Sequence, residues 1–84
     1  SESIQACEKS IEIDPQFEQA WYCKGMALKG LGRNEEALQA YDKVIEINPR
    51  HADAWHQKGM VLKSLGRTAE SDLARSRAKK LIVS

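Results

Sequence analysis

The 84 residues leave room for one domain with a small core, and 13 Lys and Arg against 12 Asp and Glu give a net charge of +1. That balance supplies no global electrostatic reason for a nucleic-acid or membrane-surface partner. No apolar run approaches the ~20 residues needed to cross a bilayer, and no signal-peptide pattern opens the chain.

Five helices are predicted, over 2–13, 17–30, 35–47, 51–64 and 69–82. The first carries Ile4, Cys7 and Ile11 and must stop before Pro15, because proline removes a backbone donor and disfavours helix in the residue ahead of it. Trp21, Leu28 and Leu31 form the apolar stripe of the second helix, which ends at Gly32, where a left-handed residue is needed. Gly25 sits inside that helix at a cost of about 1 kcal/mol relative to alanine, which makes sense if another helix backbone approaches closely there. Asn34 is placed to cap the third helix, with Glu35 and Glu36 at its positive end. Leu38, Tyr41, Ile45 and Ile47 lie broadly on one side of that helix, and Pro49 stops it. The fourth helix repeats the second, with Trp55, Gly59 and Leu62, and ends at Gly66; Thr68 is placed to cap the fifth. Ala37 and Ser71 are the small residues expected opposite Gly25 and Gly59. Links of a few residues make neighbouring helices antiparallel hairpins.

The fifth helix departs from its predecessors. Ile4 and Leu38 become Asp72, Cys7 and Tyr41 become Arg75, and Ile11 and Ile45 become Lys79, while Ala74, Ala78, Leu81 and Ile82 stay apolar. The expectation is a solvated cap with Ala78, Leu81 and Ile82 turned inward. At the other end, the first helix lacks a partner of the type that precedes the third and fifth. Ile4 and Ile11 are therefore expected to be exposed and to favour self-association. Cys7 and Cys23 show no CxxC or paired spacing, so they are read as reduced thiols of a cytoplasmic protein, with no disulfide.

The period is 34 residues: Ala20 to Arg33 returns as Ala54 to Arg67, and Glu2 to Pro15 returns as Glu36 to Pro49. Such a period marks a stacked helical array in which each unit buries its apolar face against its neighbours. Trp21, Gly25, Leu28, Gly32, Ala37, Tyr41 and Pro49 resemble the signature of the tetratricopeptide repeat, and Trp55, Gly59, Leu62 and Gly66 match it again. The resemblance covers nearly the whole chain. It implies an all-α, right-handed solenoid of antiparallel helix hairpins. Residues 1–17 would be the second helix of a truncated repeat, 18–51 a full repeat, and 52–84 a full repeat with the capping helix. A start inside a repeating unit reads as a piece of a longer scaffold or adaptor.

The resemblance also implies a concave groove lined by one face of the first helix of each repeat. Carried over by position, that face holds Gln19, Tyr22, Met26, Lys29 and Gly30, then Asp53, His56, Met60, Lys63 and Ser64. Met26 and Met60 recur in register, and methionine suits adaptable binding surfaces. Lys29 and Lys63 would place positive charge at one end. Co-chaperones of this family grip a terminal carboxylate with lysine, asparagine and arginine; Tyr22, Met26, Asp53, His56, Gln57 and Met60 stand at the corresponding positions, so that clamp is not expected. The function implied is non-enzymatic binding of a protein or peptide.

No catalytic signature appears. The glycines are not clustered into a phosphate loop, and neither His51 nor His56 has a ligand partner at helical spacing, so no metal and no cofactor are expected. Cys23 and His56 suggest a nucleophile and base, but no orienting acid or oxyanion arrangement accompanies them. Two alternatives accompany the peptide-binding reading. One is a structural solenoid segment with no ligand of its own. The other is a nucleic-acid contact through the basic last helix, which carries Arg75, Arg77, Lys79 and Lys80.

Overall fold

The computed structural model describes the backbone of residues 2–83 and the side chains of residues 4–82. Five helices follow one another: α1 (Glu2–Ile13), α2 (Glu18–Gly30), α3 (Asn34–Ile47), α4 (Ala52–Ser64) and α5 (Thr68–Val83). Each boundary agrees with its predicted position to within a residue, and no strand occurs among the described residues. The expected units begin at Ser1 and end at Ser84, which lie outside the described residues. The helices stack as antiparallel neighbours, α2 on α3 and α4 on α5, with α1 against α2 and α3 against α4. The slab measures 32 × 27 × 15 Å.

Both glycine stops have the backbone the turn requires. Gly32 has φ +77° and Gly66 φ +79°. Arg33 N–H then reaches back to the Leu28 carbonyl and Arg67 N–H to that of Leu62, each at 2.9 Å, which satisfies carbonyls that the end of a helix leaves orphaned. At the proline turns the indole Nε1 of Trp21 donates to the Pro15 carbonyl, and that of Trp55 to the Pro49 carbonyl, both at 2.8 Å. The tryptophans thus tie each hairpin to the turn ahead of it. They are half-buried rather than fully enclosed.

Helix starts differ from expectation. Asn34 is the first helical residue of α3, with Arg33 at the cap position, and no side-chain cap bond forms there. Arg33 instead bonds Glu36 through Nε and Nη2, and Arg67 bonds Glu70 in the same way one unit later. The hydrogen bonds from Arg33 and Arg67 hold the Glu36 and Glu70 carboxyls below their ordinary range. His51 caps α4, its Nδ1 accepting from Ala54 N–H at 3.0 Å, in place of the shorter oxygen side chains that usually do so.

The core joins Ile4, Leu28, Leu38, Tyr41, Val61, Leu62 and Ala74, with Ala37 and Val44 fully enclosed. The two internal glycines meet different groups. A Cβ at Gly25 would lie 2.6 Å from the Tyr41 ring, so Tyr41, and not Ala37, explains that glycine. A Cβ at Gly59 would strike the Arg75 stem and come to 3.2 Å of the Ser71 carbonyl. Ser71 is buried, and its hydroxyl donates to the Gly59 carbonyl at 2.7 Å.

Several sequence expectations are corrected. Leu31 is 53% exposed, because it follows the last residue of α2 as its cap. Ile4 is buried in the core and Ile11 is half-buried, since α2 folds back over α1. The exposed apolar residues at that end are Ile13 and Phe17. On α5, Asp72, Arg75 and Lys79 are exposed and Ala74 and Ala78 buried, while Leu81 is half-buried. Ile82 does not turn inward and is 71% exposed. Helical phase is not the reason, since residue 82 lies about 20° from the buried Ser71; α5, with 16 residues, outruns its 13-residue antiparallel partner α4 at this end. Cys7 and Cys23 are not free thiols; they form a disulfide with Cα atoms 6.0 Å apart. Each lies eight residues from Pro15, so the hairpin carries them to the same height on facing helices.

Candidate interaction groove

The positions assigned to the groove come from α2 and α4; the helical period that buries Ala20 and Leu28, then Ala54 and Leu62, turns most of them away from the core, while Tyr22 packs against it. Met26 and Met60 are 43% and 39% exposed, one repeat apart. Tyr22 and Lys29 are half-buried, and Gln19, Asp53, His56, Lys63, Gly30 and Ser64 are exposed.

A connected cluster forms the middle of this face. Lys29 Nζ donates to Gln57 Oε1 at 2.7 Å, linking α2 to α4. The Tyr22 ring lies 5.1 Å from the His51 ring and 5.8 Å from the Tyr41 ring, centroid to centroid, within the range of favourable tilted aromatic pairs. Burial, then the negative charge of Asp53, pushes the Tyr22 hydroxyl pKa up, against the opposing effect of its bond with Gln57. Tyr41 is raised further, by burial and then by Tyr22. The hydroxyl of Tyr41 is buried without a hydrogen-bond partner among the described residues. Both phenols therefore stay neutral through the physiological range, so the aromatic part of the cluster adds no charge beside the Lys29 ammonium.

Two positions belong elsewhere. Gln19 lines a cavity of about 210 Å³ with Phe17, Cys7 and Cys23, between α1 and α2. His56 faces a cavity of about 450 Å³ lined by Asp72, Arg75, Lys79 and Ile82, on the side of α5 that lost its apolar residues. The structure gives Lys63 no partner role in the cluster. Gln57 and His51 were missed as contributors. In sequence, position 57 is notable only as lacking a clamp residue. The sequence suggests a metal ligand as the role to weigh for His51, whereas its place one residue before α4 makes it the cap.

No group of three or more His, Cys, Asp or Glu side chains able to hold a metal ion occurs among the described residues. None of the described helices is long and apolar enough to cross a membrane. Cys23 is bonded to Cys7 and so cannot act as a thiolate nucleophile in this state.

Two family models, both described as tetratricopeptide repeat, match residues 18–51 and 40–72. No protein with a curated description matches the chain in sequence. Among solved structures, a crystal structure of MamA superimposes with a TM-score of 0.90 at 24% identity, covering 93% of this chain and 46% of that one. YrrB, described as a tetratricopeptide-repeat protein with an unusual peptide-binding site, superimposes with a TM-score of 0.88 at 23% identity, covering 93% of this chain and 40% of that one. The chain thus spans less than half the length of these structures, and at such identities the likeness establishes the fold.

Proposed function

Because the chain belongs to the tetratricopeptide-repeat family, we propose that it is a non-enzymatic interaction module that takes a helix or extended peptide of a partner protein in the groove of α2 and α4. The observation that carries this reading is the pair Met26 and Met60, exposed in repeat register above the Tyr22, Lys29 and Gln57 cluster. Flexible, polarizable side chains beside an aromatic cluster suit an apolar peptide face, with Lys29 and Lys63 on one side and Asp53 on the other to orient it. Half of the groove belongs to each repeat, so the peptide would cross both. The peptide-binding site named for YrrB is consistent with a peptide ligand for this fold.

The test is a displayed peptide library panned against the folded chain. Enriched sequences should share spaced apolar anchors. The Met26→Glu/Met60→Glu chain should lose them while keeping its helical circular-dichroism signal. Equal retention by the double variant would remove the site from this groove.

A further inference from the structure

A second surface stands out when the two hairpins are compared position by position. On the outer side of α4 and α5, Trp55, Leu62, Leu73 and Ala74 floor a cavity of about 450 Å³. Its counterpart on α2 and α3, with Trp21, Leu28, Gln39 and Ala40, is only about 100 Å³. The larger volume falls in the ~300–1,000 Å³ range of ligand pockets; the smaller does not. The cavity also differs in chemistry. Gln39 becomes Leu73, which is 73% exposed beside the half-buried Trp55. Lys43 becomes Arg77 and Glu46 becomes Lys80. The rim thus gains positive charge as the floor gains apolar surface. Arg77 stacks over the Trp55 ring at 5.9 Å, and Lys58 on the opposite wall lies 5.3 Å from the same ring while pairing with Asp42 at 2.7 Å. The one carboxylate on the rim, Glu70, is held by Arg67 through two hydrogen bonds.

We propose that this cavity is a second docking site, for a partner segment that inserts one bulky apolar side chain between Trp55 and Leu73 and lays flanking carboxylates on Lys58, Arg77 and Lys80. The cavity lies within a single hairpin. The residues lining its smaller counterpart all belong to α2 and α3, so the unit stacked on that hairpin does not sit over this face. A peptide fits better than a nucleic acid. The cations of α5 divide between two faces, Arg75 and Lys79 on the end cavity and Arg77 and Lys80 on this one, so no single stripe tracks a phosphate backbone. A phosphate chain also has no use for an apolar floor at Leu73.

Fluorescence anisotropy with three probes tests the assignment. They are a labelled hexapeptide with one central phenylalanine flanked by aspartates, the same peptide with alanine for phenylalanine, and an oligothymidylate. The phenylalanine peptide should bind saturably. Replacing its phenylalanine by alanine, or introducing Leu73→Gln or Arg77→Gln in the chain, should each weaken it by about tenfold, the scale of a buried apolar or charged anchor. Leu73→Gln restores the residue found one repeat earlier at an exposed position, so the fold should be unaffected, and circular dichroism checks this. Met26→Glu/Met60→Glu should leave this binding unchanged, which separates it from the groove. Absence of saturable binding, equal affinity in Leu73→Gln, loss of binding in the groove variant, or an oligothymidylate that binds more tightly than the peptide would each overturn the proposal.

Discussion

The junction of α1 with α2 and the junction of α3 with α4 use the same positions for different chemistry. Positions 7 and 23 of the first become 41 and 57 of the second, one repeat on. In the first they are Cys7 and Cys23, joined covalently. In the second they are Tyr41, a fully buried ring lying on Gly25, and Gln57, which receives the Lys29 ammonium. The first pair is closed by a bond across the junction; in the second pair both members turn to α2 instead, Tyr41 into the Gly25 notch and Gln57 to Lys29. At the third occurrence Arg75 takes the place of Tyr41 and leaves an exposed face. The frame fixes where the helices cross; the residue in the crossing column decides whether that crossing is sealed, packed or open.

The largest expected effect concerns the sealed junction. Reducing Cys7–Cys23, or replacing both by serine, opens a closed loop with a sequence separation of 16. Loops of that size are worth about 3 kcal/mol. Urea unfolding with and without reductant should show that loss, and hydrogen exchange should show it concentrated in residues 2–13. Equal stability of the reduced chain would mean that the first junction rests on packing, as the second does.

The glycine notches come next. Gly25→Ala pushes a methyl group into the enclosed Tyr41 ring, which has nowhere to go, and should cost about 1–3 kcal/mol despite better helix propensity. Gly59→Ala meets the exposed stem of Arg75, which can swing aside, leaving the 3.2 Å approach to the Ser71 carbonyl as the only fixed obstacle. It should cost less than Gly25→Ala in the same urea series. A reversed order would show that the Ser71 carbonyl, not the ring, sets the closeness of the crossing.

The smallest effect refines the second junction. Tyr41→Phe removes a buried hydroxyl that has no hydrogen-bond partner among the described residues, so it should be neutral or stabilise by about 1 kcal/mol. Tyr41 and Tyr22 have folded pKa values raised above the ordinary 10.0. Their neutral-state stability is therefore fully present below pH 10.0 and declines as the pH rises through the unfolded value toward the folded ones. Thermal unfolding followed from pH 8 to 11 should show that decline, and Tyr41→Phe should flatten it. An unchanged alkaline slope would assign the decline to groups other than Tyr41.

The helices, their stops and the glycine crossings were legible because they follow from backbone restrictions that one or two residues announce. Pro15, Gly32, Pro49 and Gly66 each fix a local conformation wherever they stand. The face of α5 was legible from substitution within columns, down to Asp72, Arg75 and Lys79. What escaped depended on distances across the hairpin. Cys7 and Cys23 lack any motif in sequence, yet their equal spacing about Pro15 places them face to face once the turn is known. The burial of Ile4 follows from α2 covering α1, which a repeat-by-repeat reading overlooked by treating the missing neighbour as the only one. In the groove, the face of Met26 and Met60 follows from the resemblance to the repeat family, and their recurrence in register singles them out on it. The contributions of Gln57 and His51 needed the side-chain geometry, because neither residue type announces an inter-helix bond or a helix cap.

The central claim is that α2 and α4 together present one peptide-binding face. Peptides selected on the Leu73→Gln chain, which keeps the outer cavity out of the selection, should be titrated into the isotope-labelled chain and followed by amide and methyl NMR. The expected result is saturable shifts grouped at Tyr22, Met26, Lys29, Gln57 and Met60, on both helices and with one affinity. Shifts confined to a single helix, or to the outer faces around Trp21 and Trp55, would contradict it.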